Sequence, residues 1–267
     1  MIEAWNGASW SIVASPDTSA SQNNYLRGVS CVSSTSCKAV GNYNNGTLEQ
    51  TLVESWNGTT WSIVACANMS GSSNYLDGIS CTSSISCTAV GHYNNSGVDQ
   101  TLAETWNGIS WSIVATPNAS NSQNNYLDDV SCVSSGLCTA VGGYYNGTHH
   151  RNQTLVETWG LRSWSIETSP NTSSSQENYL GGISCTSPTS CTAVGAYDNG
   201  NGTFVRTLVE SWNATSWSIM ASPNAFGPQN SFLSAVSCTS SAFCATVGYG
   251  CGAVGVRAVW ASDQGVR

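Results

Sequence analysis

The side chains that could do chemistry recur on a beat. A glutamate stands two residues before a tryptophan five times, at Glu3, Glu54, Glu104, Glu157 and Glu210. On a strand that spacing puts both side chains on one face. Two carboxylates roughly 5–10 Å apart could hydrolyse a glycosidic bond. These copies fall on separate repeats, however, so the pattern alone brings no pair together. The reading taken is a hydrogen bond between repeats or a solvated rim. His92, His149 and His150 fall in loops without a serine or cysteine elbow motif, and the adjacent pair His149-His150 is read as exposed rather than as a metal site. No catalytic residue, metal or cofactor is expected.

Ten of the twelve cysteines form Cys-x5-Cys pairs: Cys31/Cys37, Cys81/Cys87, Cys132/Cys138, Cys185/Cys191 and Cys238/Cys244. A hairpin would set each pair opposite, within a disulfide reach of roughly 5.5 Å between Cα atoms. Free thiols and a metal site also fit the residue type, but zinc favours pairs about two to four residues apart. The disulfide reading is preferred, each bridge contributing at most about 2–3 kcal/mol. Cys66 and Cys251 lie outside the pattern, in loops expected on one face, which leaves a pairing between them open. Disulfides place the chain in an oxidising compartment, extracellular or at a cell surface. No signal peptide is visible at Met1, where Ile2-Glu3-Ala4-Trp5 already reads as repeat.

Tryptophan pairs keep the same beat as the cysteines: Trp5/Trp10, Trp56/Trp61, Trp106/Trp111, Trp159/Trp164 and Trp212/Trp217, with Trp260 alone. They are read as apolar packing between repeats. A period of about 50 residues means a propeller blade or a solenoid turn. Each repeat breaks into four short runs with strand character, as in Tyr75–Cys81, Cys87–Gly91, Thr101–Trp106 and Trp111–Val114. The expected fold is therefore all-β: residues 1–267 form one five-bladed β-propeller with four antiparallel strands per blade. The chain starts near the outer strands of a blade, so the N-terminal strand should join the C-terminal blade and close the ring. A sixth copy of the third run, Ala258-Val259-Trp260, is either left over or pairs between molecules in a homo-oligomer.

Ser55-Trp56-Asn57-Gly58-Thr59-Thr60-Trp61 resembles the Asp-box of BNR-type propellers, Ser/Thr-x-Asp-x-Gly-x-Thr-Trp, shortened by one residue and with Asn for Asp. The copy Trp159-Gly160-Leu161-Arg162-Ser163-Trp164 has lost the Asn-Gly. The resemblance implies that the motif sits on the hairpin between third and fourth strands, as a structural element. The whole is similar to cysteine-bearing repeat proteins of secreted bacterial origin and, in architecture, to the five-bladed tachylectin lectins. Sialidases share the Asp-box, which would imply an arginine triad and a tyrosine–glutamate pair. Arg27, Arg151, Arg162, Arg206, Arg257 and Arg267 follow no such motif.

Charged residues make up 8 % of the chain, its net charge is −8, and Lys38 is the only lysine. Without a basic stripe, nucleic acid is not an expected partner. No apolar run is long enough to cross a bilayer as a helix. What remains for a ligand is the loops. In a propeller the connections from strand four to strand one, and from two to three, share a face, and here they carry Asn beside Tyr. The candidate ligand-binding residues are Asn24, Tyr25, Asn74, Tyr75, Asn125, Tyr126, Asn178, Tyr179 and Asn230. Amides that donate and accept, next to rings, suit neutral sugars, a protein epitope, or simple Asx-turns. The expectation is a non-catalytic extracellular binding module, multivalent for carbohydrate. The alternatives are a structural or protein-interaction propeller of a larger surface protein and, last, a glycoside hydrolase.

Overall fold

The computed structural model describes residues 1–160, 162–200, 205–224 and 230–250. Cys251, Arg257, Trp260 and Arg267, and with them the sixth copy of the third run, lie outside the described residues. All regular structure among the described residues is β-strand. The chain opens with a hairpin, β1 (Ile2–Trp5) and β2 (Trp10–Val13). Four four-stranded antiparallel sheets follow. Blade one is β3 (Asn24–Ser33), β4 (Ser36–Asn44), β5 (Glu49–Trp56) and β6 (Trp61–Val64). Blade two is β7 (Asn74–Ser83), β8 (Ser86–Asn95), β9 (Val98–Trp106) and β10 (Trp111–Val114). Blade three is β11 (Asn125–Ser134), β12 (Leu137–Asn146), β13 (Arg151–Gly160) and β14 (Ser163–Glu167). Blade four is β15 (Asn178–Ser187), β16 (Ser190–Asp198), β17 (Val205–Trp212) and β18 (Trp217–Met220). A second hairpin, β19 (Ser231–Ser240) with β20 (Phe243–Gly250), ends the array.

The sequence reading puts the two terminal hairpins in one closing blade. Between them they carry that blade's strands, one and two in β19–β20 and three and four in β1–β2, and each forms its own two-stranded sheet. The first two strands of each blade run longer than the apolar runs suggest. β8, for example, continues through Tyr93 and Asn94 to Asn95, and the chain turns at Ser96-Gly97, both with positive φ. The polar ends still ladder because the ladder is made by backbone.

Alternation along the strands builds the core between blades rather than within one. Val40 and Val53 of blade one pack with Leu76, Ile79, Ala89, Leu102 and Trp111 of blade two, and the same set recurs at the next two interfaces. The tryptophan pairs cross the outer hairpin in register, Trp56 opposite Trp61, with ring centroids 5.6 Å apart. Trp111, Trp164 and Trp217 are buried, so packing is their role in these blades. The outer turn is held by the asparagine of the Asp-box-like motif: Asn57 Oδ1 accepts from the backbone N–H of Thr59 and Thr60, both at 2.9 Å. Gly58 then takes a φ of 95°, where a side chain is strained. All five cysteine pairs are disulfides, each joining the first and second strands with Cα atoms 3.9–4.0 Å apart.

Candidate functional site: the axial cluster and the loop face

The first strands lie side by side along the array, each packed on the next. Glycine at Gly78 permits this: a Cβ there would come within 2.6 Å of Asp129 Cα on the next first strand. Serines stitch the same strands together. Ser30, Ser80, Ser131 and Ser184 accept, at 2.9–3.0 Å, from the backbone N–H of Cys81, Cys132, Cys185 and Cys238 on the following blade.

On these strands the residue after Tyr-Leu varies: Arg27, Asp77, Asp128, Gly181, then Ser234 after Phe-Leu. Asp77 lies between two basic groups, with Arg27 Nε 3.4 Å from Oδ1 and His92 Nδ1 3.3 Å from Oδ2. The His92 ring stacks on Tyr75 at 4.7 Å and meets the edge of Tyr126 at 5.1 Å. Asp128 Oδ2 is buried with no hydrogen-bond partner. Burial, reinforced by the negative charge of Asp77, pushes the Asp128 carboxyl up to about 7. Two aspartates in different electrostatic settings thus share the inner strands of neighbouring blades. Asp129 next door is structural, since it accepts from Ile183 N–H of blade four at 2.9 Å.

The two loop sets share a face, as expected. Asn94 N–H donates to Ser73 O at 2.8 Å, joining the two-to-three hairpin of blade two to the connection entering it. Beside this junction lies a polar depression of about 620 Å³ whose wall includes Ser72, Tyr75, His92, Asn94, Asn95 and Asp99. Tyr126 Oη donates to Asp99 Oδ2 at 2.9 Å, and Asn94 Nδ2 donates to Asp99 Oδ1 at 2.8 Å. Burial first, and then the Asp99 contact, raise the Tyr126 phenol to about 12, so it stays a donor.

The expected Asn/Tyr pairs divide. Asn74, Asn125 and Asn178 are buried, and their amides hold the incoming loop: Asn74 Oδ1 accepts from Met69 N–H at 2.8 Å while its Nδ2 donates to Ser72 O at 2.7 Å. Asn24 does the same for Thr18, and Asn230 Oδ1 accepts from Val205 N–H. None of these amides is offered to a ligand. Tyr75 and Tyr126 reach the depression or its carboxylate, whereas Tyr25 and Tyr179 lie exposed on other blades. Asp77, His92, Asp99 and Asp128 escaped the sequence reading. The signal was present: they break a repeat that is otherwise nearly invariant from copy to copy.

The glutamate column is buried, with Glu54, Glu104, Glu157 and Glu210 at 0–1 % exposure, so the hydrogen-bond reading fits it and the solvated-rim reading does not. Ser15 Oγ donates to Glu54 at 2.9 Å and Ser169 Oγ to Glu210 at 2.7 Å, across the junction between blades. Cys66 occupies the same position as these serines and is a free thiol: its Sγ lies 3.0 Å from Thr51 Oγ1 and donates to Thr51 O at 3.1 Å. Burial pushes that thiol up to about 12.

No family model and no curated protein matches the sequence. Solved structures do match in fold, and they are β-propellers. YCF48 from Cyanidioschyzon merolae superposes with a TM-score of 0.50 at 10 % identity, over 91 % of this chain and 71 % of that one. YCF48 bound to a D1 peptide gives 0.37 at 11 %, covering 91 % and 80 %. The GH43 endo-arabinanase from Bacillus licheniformis gives 0.42 at 11 %, covering 89 % and 91 %. These identities show a shared fold and nothing finer. They nevertheless correct the expectation that the chain is not an enzyme, because glycoside hydrolases stand among the chains of similar fold. That expectation weighed only the glutamates, which are spread over separate blades. The aspartates of adjacent inner strands were not considered.

Proposed function

We propose that this propeller acts outside the cytoplasm and binds neutral glycans in the depression of blade two. The observation that carries the reading is the composition of that wall: hydroxyls and amides that both donate and accept, a carboxylate already aligned by Tyr126, and the Tyr75 ring on its flank. Sugar hydroxyls need donors and acceptors together, and a ring face gives the pyranose its apolar contact. Five disulfides support an oxidising compartment. The test is a glycan array probed with the oxidised protein and with its Tyr75→Ala and Asp99→Ala variants. Selective binding that both variants lose supports the reading, and a blank array, or binding that both retain, sinks it.

A second reading is favoured by one observation, the unequal aspartates. Asp128 held protonated near neutrality beside an ionised Asp77 is the acid-and-carboxylate division that glycoside hydrolysis uses. His92 belongs to both the depression and the axial cluster, linking the two. Release of chromophore from aryl glycosides, abolished in Asp128→Asn, would establish this reading; no release above background would remove it.

A further inference from the structure

An apolar cleft of about 860 Å³ opens between the β1–β2 hairpin and blade one, lined by Ile2, Trp5, Trp10, Leu26, Val29 and Trp61 among others. In the other blades the matching positions are covered. Ile79, Val130 and Ile183 are 3–7 % exposed, while Val29 is 62 % exposed; Trp111, Trp164 and Trp217 are buried, while Trp10 is 66 % exposed. What covers them elsewhere is the preceding blade, through pairs such as Val40 and Val53. Those two valines sit opposite each other on second and third strands, in the register that sets Cys37 against Trp56.

The same register applied to the ends of the array sets Cys244 of β20 against Trp5 of β1, and Val247 against Ile2. Val247 is itself half exposed, and neither β20 nor β1 has a partner on that edge among the described residues. Two hydrogen-bond columns point to the same seam. The serine column begun by Ser30, Ser80, Ser131 and Ser184 next reaches Ser237, and the matching donor is the N–H of Cys31. The pairs Ser15–Glu54 and Ser169–Glu210 have their seam counterpart in Ser222 and Glu3.

We propose that β20 pairs with β1 of the same chain in this register, so that β19–β20 fills the cleft and completes a fifth four-stranded blade. The apolar cleft is thus a slot for strands rather than a ligand pocket. The occupant is the chain's own hairpin, since two edges carried on one molecule meet at a far higher effective concentration than edges on separate molecules. Closure also sets Phe232 and Ser234 beside Tyr25 and Arg27, completing the axial rim.

The test is the double variant Ile2→Cys with Val247→Cys under mild oxidation, with each single variant as control. The expected product is a new disulfide within one chain, at monomer mass on non-reducing electrophoresis. A cross-linked dimer, or no cross-link, overturns the proposal. Hydrogen exchange on the unmodified chain gives an independent readout: β1 and β20 amides should be as protected as those of β5 and β4 at any protein concentration. Edge amides that exchange freely, or that gain protection only as concentration rises, overturn it as well.

Discussion

Glu157 is the sharpest place to perturb this molecule. Both of its carboxyl oxygens are buried without a partner. The hydroxyl that should serve it, that of Thr116, turns instead to Thr101, lying 2.8 Å from its hydroxyl and donating to its carbonyl at 3.0 Å. Burial alone pushes the Glu157 carboxyl up to about 9. The native state then keeps a proton that the unfolded chain releases near its ordinary value of about 4.3. A raised acid of this kind stabilises below the unfolded value and loses that stability as pH climbs toward the folded one. The slope is about 1.4 kcal/mol per pH unit, so about 3 kcal/mol is lost between pH 5 and pH 7 on account of this residue. Glu157→Gln removes the titration while keeping the shape. Denaturant unfolding of both proteins from pH 5 to 9 is the assay, and the difference in slope is the readout. The variant's stability should fall less steeply by about 1.4 kcal/mol per unit. Parallel profiles would refute the claim that this carboxyl is buried and protonated.

The remaining expectations concern packing and turns. Ala214 takes the position held by Gly58 and Gly108 in the other outer turns, with a φ of 78° that strains a side chain. Ala214→Gly should therefore raise stability by about 1 kcal/mol in a thermal or denaturant melt. Replacing both Cys132 and Cys138 by serine, which opens one short staple, should cost roughly 2 kcal/mol by the same measurement. Cys66 should react with a thiol reagent far more slowly than an unfolded control at pH 8, because burial raises its thiol to about 12. Cys66→Ser should be tolerated, since Ser15 and Ser169 already fill that position in other repeats; a large loss of stability in that variant would contradict the equivalence.

Much of the architecture is legible because the chain repeats itself. One copy of Tyr-Leu-Asp-Gly-Ile-Ser-Cys could be many things, but five copies in step with Trp-Ser-Ile fix strand order and the place of the disulfides. The fate of polar side chains is not legible this way. Asn74 and Glu104 carry the composition of a surface and yet are buried, because stacking of blades, which no single-strand pattern encodes, covers them and supplies partners. The axial cluster is hidden for the opposite reason. Arg27, Asp77 and Asp128 occupy one repeat position and differ there, so a search for what recurs passes over them. Reading the departures from the repeat would have found them.

The most direct test of the central claim is calorimetric titration of the best-bound neutral oligosaccharide into the oxidised protein and into its Tyr75→Ala variant. Binding at one class of site, weakened about tenfold or more in the variant, is the predicted result. Equal affinity in the two proteins would place the glycan elsewhere on the molecule and contradict the assignment of the depression around Tyr75, His92 and Asp99.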